Sequence, residues 1–155
     1  MSPLDVVRRY YDGCSAGDVE EMRATLADDV VHYFLAPNVG SAPVRGGEHL
    51  ARYWRKVAGM IQARWVVDHA LVGSDRPVEA VIEWTMFWRP QGATSRVATR
   101  GAEWFVFAAD GRIAEIRSYY QQQAKTTELD GFPYAARGYS TGAVEHSALH
   151  GRCRE

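Results

Sequence analysis

Two side chains could move a proton from within apolar surroundings: Glu103, in RGAEWFVFAADGRIAEIRSYY over residues 100–120, and His32, in VVHYFLAP. Strand alternation puts Glu103 on one face with Phe105 and Phe107. A carboxylate heading such a row is either an edge group in water or a desolvated acid of raised pKa that donates as well as accepts. His32 shares a face with Val30 and Phe34. Its imidazole titrates near neutrality, as acid–base chemistry requires, and a hydrogen-bonded core role competes with that reading. In the strand VEAVIEWTMFW, Trp84, Met86 and Trp88 fall on one face against Glu83, Thr85 and Phe87, and in the last strand Ile116, Ser118 and Tyr120 line up. Five tryptophans in 155 residues are more than a small core packs easily. They point to a hydrophobic ligand cavity whose expected lining is Phe34, Trp54, Trp84, Met86, Trp88, Phe105, Ser118 and Tyr120.

Other candidates carry less. Asp68 and His69 are neighbours that alternation turns to opposite faces, so the pair reads as structural. Asp28 and Asp29 read as closing a helix. His146 and His150 lie in a loose tail without further ligands, and Cys14 and Cys153 have no metal-ligand spacing, so no metal and no cofactor is expected. A phosphate-binding glycine loop and a Gly-x-Ser-x-Gly elbow are both missing, which disfavours nucleotide and covalent chemistry.

The elements that must position these groups follow from periodicity. Ser2-Pro3 with Asp5 starts a helix carrying Leu4, Val7, Tyr11 and Cys14 at helical spacing, with Tyr10 beside them, and Gly17 ends it. Asp18 begins a second helix that buries Val19, Met22 and Leu26. Leu50, Tyr53, Trp54, Val57 and Ile61 mark a third, after the turn-rich NVGSAPVRGG. From Arg64 four strands run with hairpin turns at SDRP, PQGA and ADG. Helices ahead of a long antiparallel meander give an α+β domain in which a curved sheet wraps a helix. At 46% hydrophobic and 24% charged residues the chain fits one domain with a real core, over residues 1–123, followed by an irregular extension, 124–155. A formal charge of −1 gives no basic footprint for nucleic acid or an anionic membrane, and no signal-like or spanning segment is visible, so a cytoplasmic location is expected.

With RRYYDGCSAGDVEEM, LADDVVHYF, VGSAPVRGGEHLARYW and EWFVFAADGRIAEIRSYY, residues 4–121 resemble the nuclear-transport-factor-2-like superfamily, which includes ketosteroid isomerase, scytalone dehydratase and SnoaL-like polyketide cyclases. The resemblance implies the cone-shaped, cystatin-like fold, three N-terminal helices lying in the concave face of a curved, mostly antiparallel sheet. Carried over residue by residue, the isomerase pattern puts its enolate-donating tyrosine on Tyr10 and its protonated acid on Glu103. Its carboxylate base has no counterpart near Phe34 or Pro37, and His32 is the neighbour able to replace it. SnoaL-like cyclases also select Glu103, as the acid–base group, and scytalone-dehydratase-like chemistry would use His32. The Arg-x-Asp step of limonene epoxide hydrolase has no match in RGAE.

The resulting expectation is a cofactor-free acid–base enzyme acting on a small hydrophobic carbonyl compound by enolisation with isomerisation, cyclisation or dehydration. In it Tyr10 stabilises the oxyanion, His32 is the base and Glu103 moves the proton. A noncatalytic ligand-binding or assembly module is the alternative. Under either, Phe87, Trp104, Val106 and Tyr119 on the outer sheet face form a homodimer interface, and Phe132, Tyr134 and Tyr139 fold the extension over a pocket mouth, its own or a neighbour's.

Overall fold

A computed structural model describes residues 1–124 and 131–142. Helix α1, Pro3–Ala16, begins with a reciprocal cap in which the Ser2 hydroxyl accepts from the Asp5 N–H and the Asp5 carboxylate accepts from the Ser2 N–H. It stops at Gly17, whose φ of 68° lies where a Cβ is penalised. Helix α2, Val19–Thr25, is capped by the Asp18 carboxylate, which accepts from the Glu21 N–H.

Strand β1, Leu26–Leu35, follows at once, four residues earlier than the apolar run beginning at Val30 indicated. Asp28 and Asp29 therefore do not close a helix. They are exposed within β1, where the register with its neighbour shifts between Leu26 and Val31. The expected loop contains a two-residue strand β2, Val44–Arg45, before helix α3, Gly47–Ile61, which buries Leu50, Ala51, Trp54 and Ala58. The meander is β3, Arg64–Val72; β4, Glu79–Trp88; β5, Val97–Phe107; and β6, Ile113–Tyr119.

The six strands form one sheet in the order β2-β1-β6-β5-β4-β3, antiparallel except where β1 and β6 run parallel. The curved sheet with its three helices is the α+β cone that the resemblance implied. Its inner face carries Trp84, Met86, Trp88, Phe105, Ile113 and Ile116, all buried with Val7, Tyr10, Tyr11, Met22 and Leu50 of the helices. Among the described residues no helix is long and apolar enough to cross a membrane.

A bulge decides the outer face. In β3, Val67 pairs with Trp84 and His69 with Glu83, leaving Asp68 as the extra residue. Asp68 and His69 thus both address the outer face, against simple alternation. The buried Asp68 carboxylate accepts from the Thr85 hydroxyl and, at 2.8 Å, from the Ser140 N–H, while His69 lies 3.7 Å from Glu83.

The extension goes to this same outer face. Phe132, Tyr134 and Tyr139 pack edge to face on one another, the Arg100 guanidinium lies 4.0 Å from the Tyr134 ring centre, and the Tyr139 hydroxyl donates to Glu83. Residues 131–142 therefore pack against the back of their own sheet, not over a mouth of the inner cavity, because the polar anchors Asp68 and Glu83 are there. Phe87, expected at a dimer face, is 1% exposed and lines a groove with Phe132 and Tyr134. Trp104 and Tyr119 remain open, at 37% and 39% exposed.

Candidate active site

Register assembles the site. On the inner face Ser118 pairs with Glu103, and one step along Ile116 pairs with both Phe105 and His32. His32 reaches Ser118 diagonally across the parallel β1/β6 ladder. The Ser118 hydroxyl donates to Glu103 Oε1 at 2.7 Å and hydrogen-bonds His32 Nε2, and the Tyr11 hydroxyl donates to Glu103 Oε2. Four side chains from α1, β1, β5 and β6 thus form one chain of hydrogen bonds, His32–Ser118–Glu103–Tyr11.

Glu103 is 3% exposed, and burial raises its pKa from the usual carboxylate value to about 7 against the pull of the Tyr11 and Ser118 hydroxyls and the Trp84 indole. Burial depresses His32 to about 3, so the imidazole is neutral at physiological pH. The phenols of Tyr10 and Tyr11 and the thiol of Cys14 are pushed well up, chiefly by burial, and stay protonated donors.

Between α1 and the sheet lies a narrow cavity of about 10 Å³, bounded by Tyr10, Tyr11, Cys14, Trp54, Trp65, Trp84, Glu103 and Tyr120. Trp54 meets Trp65 edge to face at 5.4 Å between ring centres, and Trp84 meets Tyr120 at 5.1 Å. The Trp84 indole occupies room that Gly101 leaves on the paired strand: a Cβ there would stand 2.5 Å from Trp84 Cζ2. Two buried donors among the lining residues, Tyr10 Oη and Trp54 Nε1, have no hydrogen-bond partner, while the Trp84 indole faces the Glu103 carboxyl. Such groups are costly unless something supplies an acceptor.

The structure divides the expected site residues into three groups. Tyr10, Glu103, Trp54, Trp84 and Tyr120 line the cavity. Ser118 and His32 do not: Ser118 stands behind Oε1 and His32 behind Ser118, so the imidazole reaches the cavity only through two other groups. Phe34, Met86, Trp88 and Phe105 are packing residues outside the lining. Phe34 stacks on His32 at 4.5 Å, the Trp88 indole donates to Thr99 at 2.9 Å, Met86 is core, and Phe105 supports the rings of Tyr10 and Tyr11. Sequence reasoning missed Tyr11, Cys14 and Trp65. For Tyr11 a signal was present, since it sits in the apolar stripe with Val7 and Cys14, whereas the carried-over pattern selected its neighbour. Among the described residues no cluster of three or more His, Cys, Asp or Glu could hold a metal ion; His146, His150 and Cys153 lie outside them.

Comparison with known proteins agrees with this fold. Residues 7–116 match the family model of the SnoaL-like domain. A protein of unknown function with cystatin-like fold from Methylobium petroleophilum PM1 shares 34% identity over 90% of this chain and 91% of that one, with a TM-score of 0.67. RV0760c from Mycobacterium tuberculosis, solved in complex with estradiol-17beta-hemisuccinate, shares 19% identity over 78% of this chain and 95% of that one, with a TM-score of 0.64. An LEH-like epoxide hydrolase of M. tuberculosis shares 25% over 77% and 82%, with a TM-score of 0.56. No curated protein sequence matches the chain.

Proposed function

Because the chain belongs to the SnoaL-like domain family, we propose that it is a cofactor-free acid–base enzyme acting on a small hydrophobic carbonyl compound, polyketide- or terpenoid-like, through an enolate. The observation that carries this reading is a buried carboxyl, raised to about 7, facing an aromatic cavity that also holds the Tyr10 hydroxyl and the Trp54 indole N–H as buried donors without a partner. A base is most effective when its pKa lies near the working pH, and the donors suit the oxygen on which charge develops.

In this reading Glu103, as carboxylate, takes a proton from the carbon next to the carbonyl. The C–H electron pair moves into the new C=C bond, and the carbonyl oxygen becomes an enolate held by Tyr10, with Trp54 beside it. Glu103 then returns the proton. Return to another carbon is isomerisation; where the enolate attacks a second carbonyl, the proton goes to the new alkoxide and the outcome is cyclisation; where a β-hydroxyl departs, the proton leaves with it as water and the outcome is dehydration. Trp54, Trp65, Trp84 and Tyr120 hold the apolar body and exclude water. His32, lacking contact with the cavity, is not assigned the base. The reading also includes a homodimer through Trp104, Val106 and Tyr119, the part of the outer face that residues 131–142 leave open.

The test follows deuterium uptake from D2O next to the carbonyl of 2-tetralone and related cyclic ketones by proton NMR. Glu103→Gln should slow exchange on the order of a hundredfold or more, and Tyr10→Phe roughly tenfold. Exchange at the buffer rate across the ketone panel, or wild-type exchange in Glu103→Ala, overturns the reading.

A further inference from the structure

Ser118 has one hydroxyl proton and two neighbours that could take it. The 2.7 Å bond to Glu103 Oε1 uses that proton, so at the other contact Ser118 accepts and His32 Nε2 must carry the hydrogen. The neutral imidazole then has a bare Nδ1, and Nδ1 is the buried ring atom without a partner. In the opposite tautomer Nδ1–H would be a buried donor with nothing to receive it, and orphaned buried N–H groups are rarer than underused acceptors. Phe34 stacked at 4.5 Å and Trp54 at 5.5 Å offer the ring no alternative acceptor.

The two carboxylate oxygens of Glu103 are therefore not equivalent. Oε1 faces Ser118 and His32, neither of which lines the cavity, and Oε2 faces Tyr11, which does. We propose that His32 is a positioning residue: by donating from Nε2 it commits the Ser118 hydroxyl to Oε1, denies that oxygen a proton, and keeps the exchangeable proton of Glu103 on Oε2, at the cavity. When Oε2 is protonated it donates to the Tyr11 oxygen, and the phenolic hydrogen turns to the cavity; when it is ionised Tyr11 donates to it. His32 stays in one tautomer throughout, and the serine never changes direction. The groups facing Glu103 in this arrangement are Tyr10, Tyr11 and Cys14 of α1, His32 of β1, Trp84 of β4, and Ser118 and Tyr120 at the end of the sheet.

The inference rests on Glu103 as the group that moves the proton, but its test reads protonation in the full chain without substrate, so it stands or falls separately from turnover. With 15N-labelled histidine, His32 should show a protonated Nε2 and a bare Nδ1 at both pH 5 and pH 9. A protonated Nδ1 at pH 5 overturns the proposal. With 13C-labelled glutamate carboxyls, His32→Phe should raise the Glu103 midpoint by about half a unit or more, because a freed Ser118 can accept the acid's proton, while His32→Gln restores a donor and keeps the midpoint within about 0.2 unit of wild type. Equal midpoints in both variants would leave His32 a mere space-filler and also overturn it. If His32→Phe does not fold, the wild-type nitrogen shifts decide alone.

Discussion

Glu103 and Asp68 are both buried in the sheet, one on each face. Glu103 accepts from two hydroxyls, Tyr11 and Ser118, with a neutral imidazole beyond. Asp68 accepts from the Thr85 hydroxyl and from the backbone N–H of Ser140, and the Arg100 guanidinium lies 3.9 Å away. Burial pushes both acids up. At Asp68 an amide and a cation oppose that push by favouring the charged form, and the carboxylate works as a fastener for residues 131–142. At Glu103 only neutral donors oppose it, so its proton is exchangeable near pH 7. The difference here lies in the partners: a backbone N–H first, then a hydroxyl and more weakly a guanidinium at Asp68, against side-chain donors alone at Glu103.

The largest effect expected from this difference is on stability against pH. The folded value of Glu103, about 7, lies above the ordinary value of 4.5. Its contribution, about 3 kcal/mol, is fully present below that ordinary value and is lost as pH rises through 7. His32 runs the other way: lowered from 6.5 to about 3, it favours the folded state above 6.5 and loses that contribution as pH falls toward 3. Urea unfolding between pH 4.5 and 8 should show the stability difference between wild type and Glu103→Gln shrinking by about 3 kcal/mol as pH rises, the His32 contribution being common to both chains. A difference that stays constant over that range would erase the contrast between the two acids.

Removing the clamp should cost less. Asp68→Ala leaves the Ser140 N–H and Arg100 without their carboxylate and should lose about 1–3 kcal/mol, with faster proteolytic cutting around residues 131–142 and unchanged 2-tetralone exchange. Loss of exchange in this variant would mean that the two faces are coupled. Smallest on the fold is Trp104→Glu, within about 0.5 kcal/mol for a residue this open. Sedimentation should nevertheless show a dimer becoming a monomer, and an unaltered dimer would move the pairing surface elsewhere.

Local chemistry made much of this legible. Ser2, Pro3 and Gly17 bound the first helix because caps act over a few residues, and Glu103, Phe105 and Phe107 share a face because alternation holds over an unbroken strand. Where the backbone departs from ideal, the reading failed. The bulge at Asp68 puts His69 on the same face as Asp68 where alternation opposed them, and the register shift in β1 admits two aspartates into a strand. Tyr10 and Tyr11 are both buried, so pattern alone could not decide which reaches Glu103; the helix's rotation against the sheet does. His32 was read by its free-solution titration, but burial and a serine in front of it change both its pKa and its reach. The extension's aromatic residues named a docking segment, and only the polar anchors on the far side of the sheet say where.

The parallel β1/β6 pair also sets the order in which this protein can become competent. His32 and Ser118 stand 86 residues apart in sequence, and Tyr11 and Glu103 stand 92 apart. Contacts of such separation close the longest loops and form only against a large entropic cost, which slows folding. A chain emerging from the ribosome can build its helices and hairpins early, but the hydrogen-bonded chain at the site waits for the last strand. A fragment ending before β6 can hold the cavity's tryptophans and still lack the serine that binds Glu103 to His32.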